Sequence, residues 1–318
     1  MTAGRRVILI AGPTASGKSA VALALAERLG GVVINADSMQ VYRDLRVLSA
    51  RPSAADEARA PHALYGFVDA AEAYSTGKWL EAVGVELDRA AAASRMAIVT
   101  GGTGLYFRGL EDGLAPLPAI PDEIRARWRA RLEARGAAAL HTELERADPP
   151  LARRLTPGDG QRLVRAHEVL EATGRSLLAW QVEAEAEAGG LLGGSRVARF
   201  VLSLDREALY RRCDQRFDRM IDEGAIAEVD ALRKRGLDPR LPAMKALGVP
   251  QLMAHLEDRV SLEEASATAS MWTRRYAKRQ LTWFRSNMIS WNEAPAHDSE
   301  RILAQIFPIL DDMRLTTP

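Results

Sequence analysis

Apolar positions along this chain fall into short runs separated by longer amphipathic stretches. Residues 7–11, 32–36, 96–100 and 200–204 are largely apolar runs of strand length. Such runs fit strands buried on both faces of a parallel sheet. Between them, residues 18–29, 78–93, 207–221 and 262–285 carry their apolar residues at helical spacing. Gly30 and Gly31 stop the first of these helices. Residues 288–291 read as a last short strand. Strands alternating with helices predict an α/β fold, a P-loop NTPase-like parallel sheet flanked by helices.

Two shifts in composition interrupt this alternation. Residues 116–121 hold three prolines and residues 189–194 hold four glycines. The sequence between them is rich in Arg, Ala and Glu and reads as helical throughout. The expected organisation is a catalytic domain of residues 1–115 and 197–318, with an inserted all-helical domain over 116–196.

Composition narrows the function classes. With 318 residues, 47% hydrophobic, the chain can bury a sizeable core. Its net charge of +1 gives no global basic field, so a nucleic-acid partner has to be held by local patches. The single cysteine, Cys213, excludes an internal disulfide and suits a reducing cytosol. His62, His141, His167, His255 and His297 show no metal-ligand spacing. No apolar run approaches membrane-span length, and no signal-peptide pattern precedes the first strand. A cytoplasmic protein without a membrane partner is expected, with nothing to suggest an obligate oligomer, so a monomer.

The sharpest motif is GPTASGKS, comprising Gly12, Pro13, Thr14, Ala15, Ser16, Gly17, Lys18 and Ser19. It matches G-x-x-x-x-G-K-[ST] and lies between a strand and a helix, the context that motif requires. Glycines let successive backbone N–H groups turn toward one anion, and the helix N-terminus adds its positive end. Lys18 supplies a full charge, and the Ser19 hydroxyl is a ligand for Mg²⁺. The loop predicts a diphosphate or triphosphate without specifying nucleotide hydrolysis. The run 96–100 ends in Thr100 and glycines, where a metal-binding strand of a nucleotide hydrolase carries an acid. The strand that does run into an acid is the one after the P-loop helix, at Asp37.

GPTASGKS followed by NADSMQVYRDL (residues 35–45) resembles the tRNA dimethylallyltransferase family, in its compact bacterial form. GGTGLYFRGL (101–110), QRLVRAHEVLEATGRSL (161–177), MKALGVPQL (244–252) and TRRYAKRQLTWFR (273–285) agree with it in order and spacing. Val249 and Pro250 depart from the Tyr-Lys type pair usual after the glycine of that block. The resemblance implies an enzyme that moves a dimethylallyl group from dimethylallyl diphosphate to an adenine amine beside the anticodon of tRNA.

That chemistry suits the residues. An allylic diphosphate sheds its diphosphate as charge builds on carbon, so the catalyst must stabilise the departing anion. The adenine amine is a weak nucleophile and calls for a general base. Asp37 is the candidate, with a helix N-cap or an outer Mg²⁺ ligand as its plain alternatives. Ser38, Met39 and Gln40 resemble the family's adenine-recognition segment, and Gln40 can bond an adenine edge twice. Thr103 resembles a residue that contacts tRNA near the reacting base; a simple turn residue is its alternative. Arg206 is either a second cation on the diphosphate or a surface arginine.

An anticodon adenine must leave its stack to reach such a site, so the RNA backbone needs a grip. The resemblance assigns RNA contact to Gln161, Arg162, Leu163, Val164 and Arg165, in the helical insertion, and Arg125, the first basic residue after the proline-rich stretch, is placed to touch RNA near the mouth of the site. Arg125, Arg127, Arg129 and Arg131 alternate along one helix; Arg153 and Arg154 add to the second set. Arg274, Arg275, Lys278, Arg279 and Arg285 interleave with Tyr276, Trp283 and Phe284 and include no acid. Solvated helix faces are the alternative for each set. A P-loop small-molecule kinase and a cytokinin-type adenylate isopentenyltransferase are the rival functions.

Overall fold

The computed structural model describes residues 4–187, 189–295 and 298–316. It divides the chain into two compact units, Met1–Leu110 with Leu192–Pro318, and Glu111–Leu191.

The first unit is built on a six-stranded sheet. Its strands are β1 (Arg6–Ala11), β2 (Val32–Asn35), β3 (His62–Ala63), β4 (Ala97–Gly101), β5 (Arg196–Ser203) and β6 (Asn292–Pro295), in the order β3-β2-β4-β1-β5-β6. Every pairing is parallel. The central strand β1 has Val7 to Ala11 wholly buried, which is why its sequence shows no polar alternation. Helices α1 (Lys18–Leu29), α2 (Ala54–Arg59), α3 (Thr76–Ala92) and α4 (Gly104–Asp112) come from the first half of the chain. One apolar core joins Ile8, Ile10, Val21, Leu25, Ile98 and Phe200.

The second unit contains α5 (Asp122–Ala147), α6 (Pro149–Ala152), α7 (Gly160–Thr173) and α8 (Leu177–Glu187). Gly136, at φ 75° and ψ 166°, breaks the helical path of α5. Leu140, Leu144, Leu151, Leu163 and Val164 form its core. Trp128 stacks on His167 with ring centroids 4.1 Å apart, and His167 Nε2 meets the Leu140 carbonyl at 3.0 Å.

The first unit continues with α9 (Arg206–Asp222), α10 (Ala225–Lys234), a 3₁₀ turn (Ala243–Lys245), α11 (Val249–Leu256), α12 (Leu262–Asn287) and α13 (Ser299–Asp312). Ser261 and Glu264 form a capping box at the start of α12, each side chain bonding the other's backbone N–H. Ala269, Thr273, Ala277, Gln280 and Phe284 are the buried stripe of α12, spaced three and four apart.

Two features differ from the sequence expectation. The last strand is Asn292–Pro295, and residues 288–291 form the turn before it. Met288 and Trp291 are nonetheless buried, Trp291 edge-on to Phe107 at 5.4 Å. Their apolar character marks core packing from a turn and not a strand. The edge strand β3, only two residues long, is too short to leave a periodic signal.

The sheet register brings the site together. Ala11 pairs with Gly101 and with Val201, and Asn35 pairs with Thr100. The chain therefore leaves β1, β2 and β4 at one level, and the loops after them emerge side by side. Gly101 makes that possible, because a Cβ there would sit 2.0 Å from the Ala36 carbonyl oxygen. Gly101→Ala is expected to cost about 3 kcal/mol of stability, as forced overpacking does. Urea unfolding measures this, and an unchanged midpoint would show the strand ends can separate freely.

Candidate active site

The loop after β1 is a cradle for an anion. Gly17 caps α1 with φ 90°, and Ala15 sits at φ 64°. Within the loop, the Ser16 amide bonds the Pro13 carbonyl at 3.2 Å. Lys18 Nζ reaches back to the same carbonyl at 3.3 Å. Desolvation in the cradle lowers the Lys18 pKa to about 8, with Asp37 pulling it up and Arg216 pushing it down. Ser16 Oγ is buried without a hydrogen-bond partner among the described residues. A buried polar atom left this way marks a place where a polar ligand binds.

The second cation of the cradle is Arg216, not Arg206. Arg216 Nη2 donates to Thr14 Oγ1 at 2.5 Å, and its buried Nε has no partner among the described residues. Burial holds the guanidinium below its usual pKa. No described carboxylate forms an ion pair with Arg216 or Lys18. Arg206 is exposed at the first turn of α9, where its Nε donates to the Tyr210 hydroxyl at 3.0 Å. Ten residues of helix separate the two arginines, about 15 Å along the axis. The signal for the right one was the basic stripe Arg212, Arg216, Arg219, at helical spacing on one face of α9.

A cavity of about 450 Å³ lies over the loop, lined by Thr14 to Ser19, Asp37, Gln40, Ser49 and Ala50, with Arg212, Arg216 and Arg219 along α9. A second cavity of about 270 Å³ shares Thr14, Asp37, Ser49 and Arg216 with it. Its own walls are Leu48, Phe217, Met220 and Leu247 on one side and Lys245, Tyr276 and Arg279 on another. One space is thus cationic, and the adjoining one joins apolar residues to the charged side chains of Arg216, Lys245 and Arg279. Asp37 stands where they meet.

The loop after β2 holds Asp37 firmly. Its amide donates to Asn35 Oδ1 at 2.8 Å, and its Oδ1 accepts from the Met39 amide at 2.9 Å. Asn35 Nδ2 donates to the Asp37 and Leu64 carbonyls at 2.9 and 3.0 Å. Thr103, from the loop after β4, accepts from the Ser38 amide at 2.9 Å through Oγ1. It donates to Ser38 Oγ at 3.3 Å. Met39 and Ser38 line the second cavity beside Asp37. Gln40 is buried, and its Nε2 donates to the Ser49 and Ala50 carbonyls at 2.9 and 2.8 Å. Its Nε2 is therefore committed to the cavity wall and does not donate to an adenine edge in this conformation.

The RNA-contact residues expected from sequence fall in the helical unit. Gln161 and Arg162 are exposed and Arg165 half-buried on α7, but Leu163 and Val164 are core residues. Helical geometry requires this split, since residues adjacent in sequence point 100° apart. Any RNA contact at Leu163 or Val164 has to come from the backbone. Arg162 lies 3.4 Å from Asp159, and Arg165 3.4 Å from Glu168. On α5, Arg125 lies 3.9 Å from Asp122, Arg127 pairs with Glu171, and Arg131 pairs with Glu143 at 2.9 Å. In the other unit, Arg275, Lys278, Arg279 and Trp283 line an open groove along α12, while Arg274 pairs with Asp214 at 2.5 Å.

Among the described residues, no cluster of three His, Cys, Asp or Glu side chains could hold a metal. His297 lies outside the described residues. Ser19 is exposed at the cradle, and Ser19 and Asp37 line the same cavity. That sparse oxygen set fits Mg²⁺, which keeps most of its shell as water and phosphate oxygens.

Residues 40–287 match the family model described as IPP transferase, and residues 5–62 match that described as isopentenyl transferase. A tRNA dimethylallyltransferase of Parvibaculum lavamentivorans is 51% identical over 311 residues, 98% of each chain. Another from Methylocella silvestris is 53% identical over 295 residues, 93% of this chain and 96% of its own. The solved structure of full-length tRNA isopentenylpyrophosphate transferase from Bacillus halodurans is similar, with TM-score 0.70 at 30% identity over 98% of both chains. A eukaryotic dimethylallyltransferase acting on tRNA gives TM-score 0.80 at 25% identity, over 99% of this chain and 80% of that one.

Two outcomes follow from the cradle. Arg216→Ala weakens binding of inorganic pyrophosphate by about tenfold to 100-fold, the range of one lost charge-assisted hydrogen bond. Calorimetric titration measures it, and Arg206→Ala serves as the comparison that changes little. Lys18 is charged below pH 8 and loses its proton above it. Affinity for an alkyl diphosphate, fully ionised throughout this range, therefore stays level below that point. It falls by up to about tenfold per pH unit above it. A flat profile to pH 9.5 would remove Lys18 from the contact.

Proposed function

The chain belongs to the tRNA dimethylallyltransferase family, the IPP transferases, and we propose from this membership how its own residues carry the reaction. The enzyme transfers the dimethylallyl group of dimethylallyl diphosphate to the N6 amine of the adenine that follows the anticodon in tRNA. The products are N6-isopentenyladenosine and diphosphate. One observation carries the assignment of roles: a cradle holding Lys18 and Arg216, neither in an ion pair among the described residues, adjoins a space lined by Leu48, Phe217, Met220 and Leu247, and the Asp37 carboxylate lines both.

In this reading the diphosphate lies on the amides of Gly17, Lys18 and Ser19 at the start of α1, between Lys18 and Arg216. Both cations are already desolvated, so their field acts on the leaving oxygen at close to full strength. The Ser19 hydroxyl would hold Mg²⁺ together with the diphosphate oxygens, and when bound the ion would neutralise charge on the leaving group. The dimethylallyl chain extends along Leu48, Phe217, Met220 and Leu247. Its C1–O bond breaks, the N6 lone pair forms the new C–N bond, and the proton lost from nitrogen goes to an Asp37 carboxylate oxygen. Asp37 Oδ1 is held by the Met39 amide, which aims the group without consuming its second oxygen. Thr103 holds Ser38 at the acceptor side of the same loop.

The acceptor adenine leaves its stack and enters from the RNA, as duplex and stacked bases must for chemistry at the base. The helical unit serves as the grip on the anticodon stem, through Arg125, Gln161, Arg162 and Arg165 and through the backbone at Leu163 and Val164. Such a grip separates this enzyme from an adenylate isopentenyltransferase, whose mononucleotide acceptor has no stem to hold. No described helix is long and apolar enough to cross a membrane. The reading takes the active form to be a cytoplasmic monomer.

Labelled dimethylallyl diphosphate incubated with unmodified tRNA places label on the RNA; label arriving instead from ATP would establish a kinase. Asp37→Ala reduces transfer by about 10²-fold to 10⁴-fold, the worth of general base catalysis, with tRNA affinity within a few-fold. Near wild-type transfer by that variant would exclude Asp37 as the base. Arg162→Ala raises the apparent KM for tRNA several-fold, as loss of a phosphate contact does, and leaves the donor KM unchanged. A shift confined to the donor KM contradicts the grip.

A further inference from the structure

Gln280 on α12 is 5% exposed, and both ends of its amide are bonded to backbone of the site. Its Oε1 accepts from the Thr14 amide at 2.8 Å, in the loop after β1. Its Nε2 donates to the Gly102 carbonyl at 2.8 Å, in the loop after β4. The two loops are 88 residues apart in sequence, counting from Thr14 to Gly102. One carries the anion cradle. The other carries Thr103, which holds the Ser38 amide next to Asp37.

Packing leaves this bridge little freedom. A Cβ on Gly102 would sit 2.3 Å from Gln280 Nε2 and 3.3 Å from Asp37 Oδ2. A Cβ on Gly104 would sit 2.3 Å from the Trp283 ring, one turn further along the same helix. Gly102 and Gly104 are thus explained by the face of α12 that lies against them. Only a side chain with an acceptor and a donor side by side, of this length, satisfies both backbone groups at once.

We infer that Gln280 is a positioning residue that fixes the diphosphate cradle relative to the loop holding the acceptor side of the site. The inference rests on the transferase reading above. Gln280 touches neither substrate; it acts through Thr14 on one side and through Gly102 and Thr103 on the other. In-line attack of nitrogen on carbon depends on the separation of those two loops, and displacement by about 1 Å costs on the order of 10²-fold in rate.

Steady-state transfer of label from dimethylallyl diphosphate to tRNA tests this with Gln280→Met, which keeps bulk and removes both bonds. The kcat falls by about 100-fold, while KM for tRNA stays within about threefold, because the RNA grip lies elsewhere. Ala265→Gly, also on the buried stripe of α12 but away from the bridge, lowers thermal stability and leaves kcat unchanged. The double variant Gln280→Met with Thr103→Val is no slower than the slower single variant, since both act on one loop. A Gln280→Met kcat within about threefold of wild type, or a double variant whose loss equals the product of the two singles, overturns the inference. Should Gln280→Met not fold, Gln280→Glu replaces it. It keeps the acceptor for Thr14, turns an oxygen toward the Gly102 carbonyl, and loses at least about tenfold in kcat. Wild-type kcat in Gln280→Glu overturns the proposal equally. Absence of transfer by the wild-type enzyme is a different failure, that of the transferase reading itself.

Discussion

Two desolvated cations, neither in an ion pair among the described residues, are the condition around which the site is organised. Lys18 and Arg216 sit in one cavity, both desolvated, with the buried Arg216 Nε and Ser16 Oγ unpartnered among the described residues. Holding two such cations close together opposes folding, because each suppresses the ionisation of the other. The arrangement is stable in use only when an anion with several oxygens fills it. In the proposed reading a diphosphate leaving group meets that requirement, most fully as the C–O bond breaks and its charge increases. The cradle therefore favours the separated state over the bound donor, which is the condition for rate enhancement.

The same site depends on how closely three strand ends approach. Gly101 lets the Ala36 carbonyl come within a distance no side chain would permit, and Asn35 ties the Asp37 and Leu64 carbonyls together. Helix α12 then closes the far side with a buried stripe that includes Thr273, Ala277 and Gln280. Tyr276 and Arg279, neighbours of that stripe, line the second cavity, where burial and the nearby Asp37 carboxylate raise the Tyr276 pKa. A long helix with one buried face can present packing, hydrogen bonds and charge at successive turns, so one element serves all three needs.

Much of this was legible before any coordinates. The apolar runs located β1, β2, β4 and β5 to within a few residues, because central parallel strands leave no polar positions. The P-loop was equally plain, since its glycines, lysine and serine stand at fixed spacing. The errors have physical causes. Arg206 drew attention as the first cation after a strand, yet cavity-facing residues on a helix follow its period, and that period selects Arg216. Gln40 looked suited to an adenine edge until burial committed its Nε2 to Ser49 and Ala50. Leu163 and Val164 belong to a segment whose polar members face solvent while these two face the core. Gln280 carried no signal at all, because a bridge between residues 14 and 102 exists only once the chain has folded.

The end of β4 explains why phosphate-binding machinery here can serve carbon chemistry. A phosphoryl-transfer site of this architecture places an acid on that strand to hold the metal at the reacting phosphorus. Here the position is occupied by Thr100 and Gly101, and the missing side chain has a second consequence. The space that an acidic side chain would take is filled by the Ala36 carbonyl, which draws the end of β2 inward. Asp37 is the next residue, so the carboxylate reaches the cavity from the neighbouring strand. From there it lies beside the apolar space that suits the prenyl chain, not behind the phosphate. In the proposed reading, glycine in place of an acid leaves this strand end without a metal ligand and puts the carboxylate of the neighbouring strand beside the entering amine. In the proposed reading the loop binds diphosphate as a nucleotide-binding P-loop does, and the position of the carboxylate suits it to attack at carbon.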